Sequence, residues 1–119
     1  MRNIMIGVAA LTAFAVPANA QQQYCFGYVD GSYISKSGDA YIKTNWTSGS
    51  WYQVCNVKAV WKDVTPDLCV SWLAKIDVAI AYGKRLGIYY SNAPACSSIP
   101  TYNDSPSPDY VMLLKDTQP

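Results

Sequence analysis

A small, mainly β domain with its elements in the order β-β-β-α-β-β, tied by two disulfides, is what this sequence predicts. Three observations carry that expectation. Short runs of aromatic and β-branched residues recur between turn signals over residues 24–57. One longer segment, residues 66–83, has helical spacing and capping residues at both ends. Four cysteines, Cys25, Cys55, Cys69 and Cys96, sit in a short chain that begins with an export signal.

That signal is read from residues 1–20. Met1 and Arg2 form a basic head, Ile4 to Val16 is mostly apolar, and Ala18-Asn19-Ala20 gives the small-x-small pattern cut by signal peptidase. The apolar run is thirteen residues long, where a spanning helix needs about twenty, so a membrane anchor is the weaker reading. The expectation is export through the Sec pathway to the periplasm or beyond, with residues 21–119 forming one OB-like domain. Removing 20 residues from 119 leaves 99, enough for a single modest core.

Without Arg2 the domain has eight basic residues against eight acids, all aspartate, and it contains no histidine. Neutral charge with scattered Lys and Arg argues against binding nucleic acid or an anionic lipid surface. With no imidazole there is no Ser-His-Asp or Cys-His nucleophile system, and no pair of aspartates stands in a hydrolase motif. The chain is therefore expected not to be an enzyme and to use no cofactor.

The elements follow in order. Tyr24 to Val29 (YCFGYV) reads as a first strand; Asp30-Gly31 is a turn or bulge signal, with Ser32 to Ser35 extending the ribbon. Ser37-Gly38-Asp39 is a second turn. Ala40 to Trp46 alternates, with Ile42, Thr44 and Trp46 on one side and Tyr41, Lys43 and Asn45 on the other, as in a half-buried strand. After the polar loop 47–50, Trp51 to Val57 (WYQVCNV) is a third strand, and the short loops predict an antiparallel meander. Thr65-Pro66-Asp67 opens the helix with an N-cap, a proline at the first position and an acid in the first turn. Gly83, followed by Lys84 and Arg85, closes it. Leu86 to Tyr90 and Tyr110 to Lys115 are the last two strands. A helix between the third and fourth of five strands is the element order of the OB barrel, and another small α+β sandwich would share it.

An even cysteine count in an exported chain predicts two disulfides, for which three pairings are open. The preferred one joins Cys55 to Cys69, tying a strand to the following helix, and Cys25 to Cys96, tying the start of the domain to the loop after the fourth strand. Zinc is the rival, but there is no C-x-x-C spacing and no histidine, so no metal site is expected.

WYQVCNV, SWLAKIDVAIAYGKRLGIYY and the later PTY together resemble the corresponding run in the B subunits of AB5 toxins of the subtilase cytotoxin and typhoid toxin type. They resemble equally a scattered group of small exported bacterial proteins of unassigned activity. The toxin resemblance implies a homopentamer with helices around a central pore, an exported enzymatic A subunit as partner, and a cell-surface glycan held on the side of the barrel. It also implies that Val29-Asp30-Gly31-Ser32-Tyr33 matches the family's sugar-contacting segment, with Ser32 hydrogen-bonding the sugar and Tyr33 stacking on it beside Asp30. This chain lacks the family's proline in that turn, and its first cysteine is placed differently. The plainer reading of Asp30-Gly31-Ser32 is a hairpin turn.

Ten tyrosines and four tryptophans supply flat amphipathic surfaces of the kind that stack on sugars or anchor interfaces. Alternation exposes some of them, which makes Tyr41, Trp46, Trp51 and Tyr52 candidates. Asn45-Trp46-Thr47 is a glycosylation sequon, expected to stay unmodified behind a bacterial signal. On the helix, Cys69, Trp72, Leu73, Ile76, Ala79, Ile80 and Gly83 form one stripe suited to burial. Val70, Ala74 and Ala81 lie on another face, small enough for a neighbouring subunit to approach. Two functions are carried forward: a secreted, non-enzymatic, oligomeric glycan-binding module, or a periplasmic structural or protein-interaction module.

Overall fold

A computed structural model describes residues 21–115; the expected signal peptide, residues 1–20, lies outside the described residues. Six strands and one helix follow in the order β1 (Gln21–Gly27), β2 (Val29–Ile34), β3 (Asp39–Thr44), β4 (Tyr52–Asn56), α1 (Pro66–Tyr82), β5 (Arg85–Ala93), one 3-10 turn (Cys96–Ser98) and β6 (Tyr110–Leu114). They make two antiparallel three-stranded sheets, ordered β1-β5-β6 and β2-β3-β4. The mainly β class and the single helix followed by two strands are as expected, but four strands precede the helix where three were expected. The closed five-stranded barrel is not formed.

Two local features account for that correction. The expected first strand divides at Tyr28, whose N–H donates to Asn45 Oδ1 (2.9 Å) and whose carbonyl accepts from the Asn45 N–H (3.0 Å). A Cβ on the preceding Gly27 would collide with the Asn45 side chain, so only glycine permits this close approach. The chain bends there, and its halves pair with different strands, β1 with β5 and β2 with β3. At the other side, the edge of β4 pairs with a loop: Tyr102 N–H donates to the Trp51 carbonyl (2.9 Å), and Gln53 N–H donates to the Tyr102 carbonyl (3.0 Å). No ladder joins β4 to β6, so the two sheets stay open.

The helix ends as the sequence indicates. Thr65 Oγ1 accepts from the Leu68 N–H at 3.3 Å, and Gly83 takes the left-handed conformation (φ 64°) while the Lys84 N–H reaches the Ala79 carbonyl at 3.0 Å. It packs against β2, β4, β5 and β6, spanning both sheets. Cys69, Trp72, Leu73, Ile76 and Ala79 are buried against Ile42, Tyr52 and Val54 of one sheet and Leu86, Ile88 and Tyr90 of the other. Two members of the expected stripe are corrected. Ile80 lies on its flank and is 38% exposed, and Gly83 is exposed beyond the last packed turn. Among the described residues no helix is long and apolar enough to cross a membrane.

Both disulfides form in the preferred pairing, Cys25–Cys96 and Cys55–Cys69, which fits an oxidising exported setting. Two tyrosines lie fully inside. Tyr52, expected as a surface candidate, is buried and its hydroxyl is 2.8 Å from Thr44 Oγ1. Burial pushes the phenols of Tyr52 and Tyr90 well above the ordinary tyrosine value. A raised folded pKa stabilises the native state below about pH 10, and that contribution is lost as pH rises further, because only the unfolded chain readily releases these protons. An alkaline absorbance titration should therefore show two of the ten tyrosines ionising only together with loss of the circular dichroism signal. Complete ionisation in a folded protein would contradict their burial.

Candidate aromatic binding face

Strand alternation puts one side of β2-β3-β4 against the core and leaves the other facing outward. On β3, Ala40, Ile42 and Thr44 are buried, whereas Asp39, Tyr41 and Lys43 lie on the outer face. Register then sets Tyr33 and Gln53 beside Tyr41, and Gly31 beside Lys43. The Trp51 ring lies over Gly31, where a Cβ would come within 3.0 Å of it. Glycine at 31 thus makes room for the indole.

Four aromatic rings interlock on this face. Tyr33 and Tyr41 stack with centroids 5.0 Å apart, Trp51 meets Tyr33 edge-on at 4.9 Å, and Tyr102 meets Tyr41 edge-on at 5.7 Å. Lys43 Nζ lies 5.8 Å from the Trp51 ring centre. Beneath them, Asp39 Oδ1 accepts from Gln53 Nε2 (2.7 Å) and Asn56 Nδ2 (2.8 Å), while Ser37 Oγ donates to Oδ2 (3.2 Å). Burial and the neighbouring Asp39 carboxylate raise the Tyr41 phenol, which stays protonated as a hydrogen-bond donor. Tyr33 and Tyr102 are 41% and 49% exposed. The face offers upright ring edges, phenol hydroxyls, an ammonium group and a braced carboxylate.

The segment expected to bind sugar is divided by this geometry. Asp30-Gly31-Ser32 is not a hairpin turn: it lies within β2, with Asp30 as the extra residue of a bulge between Val29 and Gly31. Tyr33 joins the outer aromatic face. Ser32 pairs with the buried Ile42 and so occupies the opposite side of the strand, away from Tyr33. Trp51 is part of the face, but Trp46 packs against the core and its Nε1 is buried with no partner. Tyr102 is the member that sequence reading missed as a site residue. It comes from an irregular loop, where no periodicity reports which way a side chain points, and it adopts a left-handed φ of 52°.

A second aromatic row crosses the outer face of β1-β5-β6. Tyr24, Tyr89 and Tyr110 are in register, with Phe26, Gly87 and Met112 forming the next row. Tyr89 lies 4.6 Å from Tyr24 and 5.0 Å from Tyr110. A hydrogen bond with Tyr24 pushes the Tyr110 phenol up to about 12. On the helix, Val70, Ala74 and Ala81 are all exposed, as the small-residue face requires. Among the described residues no three or more His, Cys, Asp or Glu side chains converge on a metal-sized space. No known family, curated protein or solved structure matches the chain.

Proposed function

We propose that the exported domain is a non-enzymatic glycan-binding module whose contact surface is the outer face of β2-β3-β4. The observation that carries this reading is the interlocked set Tyr33, Tyr41, Trp51 and Tyr102, with Lys43 over the indole. Aromatic rings offer the C–H faces of a sugar a large contact at low entropic cost, and the hydroxyls, ammonium and Asp39 supply directional bonds. The fold is read as an opened OB barrel in which the Tyr102 bridge stands where a closing strand pair would be. The test is a glycan array probed with the mature protein. Retention of a defined set of oligosaccharides is expected; an array blank for neutral and sialylated glycans alike would overturn the reading.

Assembly belongs to the same proposal. The exposed face of Val70, Ala74 and Ala81 suits helix-to-helix contact between copies, as in a B-subunit pentamer that carries an enzymatic A subunit. Ala74→Glu or Ala81→Glu should leave the fold intact, because both positions are exposed, yet reduce the mass in light scattering from an oligomer to a monomer. A wild-type protein that is already monomeric would remove this part of the proposal.

The second reading, a periplasmic protein-interaction module, draws on the row Tyr24, Tyr89 and Tyr110. A contiguous exposed aromatic sheet face of this kind commonly marks a protein contact.

A further inference from the structure

The loop that delivers Tyr102 to the aromatic face continues into a concave site. A cleft of about 490 Å³ lies between the turn at 61–64, the first turn of α1, the end of β5 and the segment before β6. Its volume falls in the range of small-molecule sites, about 300–1,000 Å³. Lys62, Asp63, Asn92 and Asp109 contribute polar groups, and Val64 and Leu68 contribute an apolar wall.

Lys62 and Asp63 are the central pair of a two-residue hairpin, closed by Trp61 N–H to the Val64 carbonyl (3.0 Å) and Val64 N–H to the Trp61 carbonyl (2.9 Å). Both have left-handed φ values, 46° and 70°, in a turn that normally selects Asn and Gly. Lys62 has a structural reason to be there, since its Nζ donates to the carbonyls of Asn103 (3.0 Å) and Ser105 (2.6 Å) and braces the Tyr102 loop. Asp63 suits a turn position of positive φ, and its exposed carboxylate has no hydrogen-bond or ion-pair partner among the described residues, which leaves it open to a ligand in the cleft.

Resting on the glycan reading, we propose that this cleft holds one pyranose unit of a neutral sugar, the end residue of a chain that continues along Tyr102. Each sugar hydroxyl both donates and accepts, which matches the mixed set here. Asp63 accepts, as does Asp109, one of whose oxygens already takes the Ser91 N–H at 2.6 Å. The Asn92 amide does both, and Lys62 retains a third N–H. Two carboxylates beside one lysine already engaged by carbonyls do not favour an anion. Val64 and Leu68 suit the C–H face of the ring. Tyr102 and Pro106 are four residues apart, at most about 14 Å of chain, so neighbouring sugar units reach both sites.

Amide-resolved NMR titration of the mature protein with free glucose, galactose, mannose and N-acetylglucosamine tests the assignment. At least one of these sugars should give saturable shifts at Asp63, Asn92 and Asp109. In Asp63→Gly the same titration should weaken by about tenfold or more, while the thermal midpoint stays level or rises, because glycine accepts φ 70° freely. Absence of saturable shifts at those three amides with all four sugars overturns the cleft, as does an Asp63→Gly titration equal to wild type. Shifts confined to Tyr102 and Trp51 overturn the cleft and leave the aromatic face standing. Shifts confined to the cleft support it, because a single sugar unit fills the cleft and leaves the aromatic face to the further units of a longer chain.

Discussion

Replacing Cys25 and Cys96 together with alanine is expected to destabilise the domain by about 4 kcal/mol, more than any exposed single substitution. The bond joins residues 71 apart, and closing a loop of that length restricts the unfolded chain by roughly that amount. Cys55–Cys69, with a separation of 14, is expected to contribute about 3 kcal/mol on the same basis. Domains of this size have total stabilities of about 5–15 kcal/mol, so loss of the first bond removes a large share of the stability and loss of both about half or more of it. Urea denaturation of the Cys25→Ala/Cys96→Ala variant would show this as a lower midpoint. A change below about 1 kcal/mol would mean that packing of β1 on β5 holds the chain ends without the crosslink.

Trp51→Ala carries the largest expected effect on function, a loss of glycan affinity of about 30-fold or more, the scale of a central aromatic anchor. The indole rests on Gly31 and against Tyr33 outside the core, so the fold should survive its removal. Trp46→Ala is the matching control. Its ring packs against the core, and truncation should cost about 2–3 kcal/mol of stability while a still-folded fraction keeps its affinity. Equal losses of affinity in the two variants would show that binding follows stability and not the aromatic face.

Local signals in the chain were enough to place most elements. Thr65, Pro66 and Gly83 bound the helix because caps are chemical and short-ranged. Ile42 and Thr44 mark a half-buried strand because the pleat alternates every residue. Of the three disulfide pairings open to the sequence, the one preferred for tying a strand to the following helix is the one formed. What escaped were the places where that order breaks its own period. Val54 is an extra residue in β4, since Ala40 pairs with Cys55 and Tyr41 with Gln53. The bulge turns both Tyr52 and Cys55 inward, so the alternation that proposed Tyr52 as a surface residue fails there. In β2 the extra residue Asp30 shifts the pleat after the buried Val29, so that Ser32 turns toward Ile42 and Tyr33 faces out.

The barrel closure failed for a different reason. Splitting the first strand depends on Asn45 reaching Gly27 and Tyr28 from a distant loop, a contact that no local pattern encodes. Tyr102 is similar, placed by backbone bonds to Trp51 and Gln53. The aromatic face was therefore partly legible: Tyr41 and Trp51 stood out by composition and alternation, Tyr33 through the toxin resemblance, and Tyr102 needed the tertiary fold.

Glycan binding by the outer face of β2-β3-β4 is measured by calorimetry as the affinity of the best-retained array oligosaccharide for wild type and for the Tyr33→Ala/Trp51→Ala double variant. Saturable binding by the wild type and none detectable for the variant are expected, with the circular dichroism spectrum unchanged. Undiminished affinity in a folded double variant would contradict it.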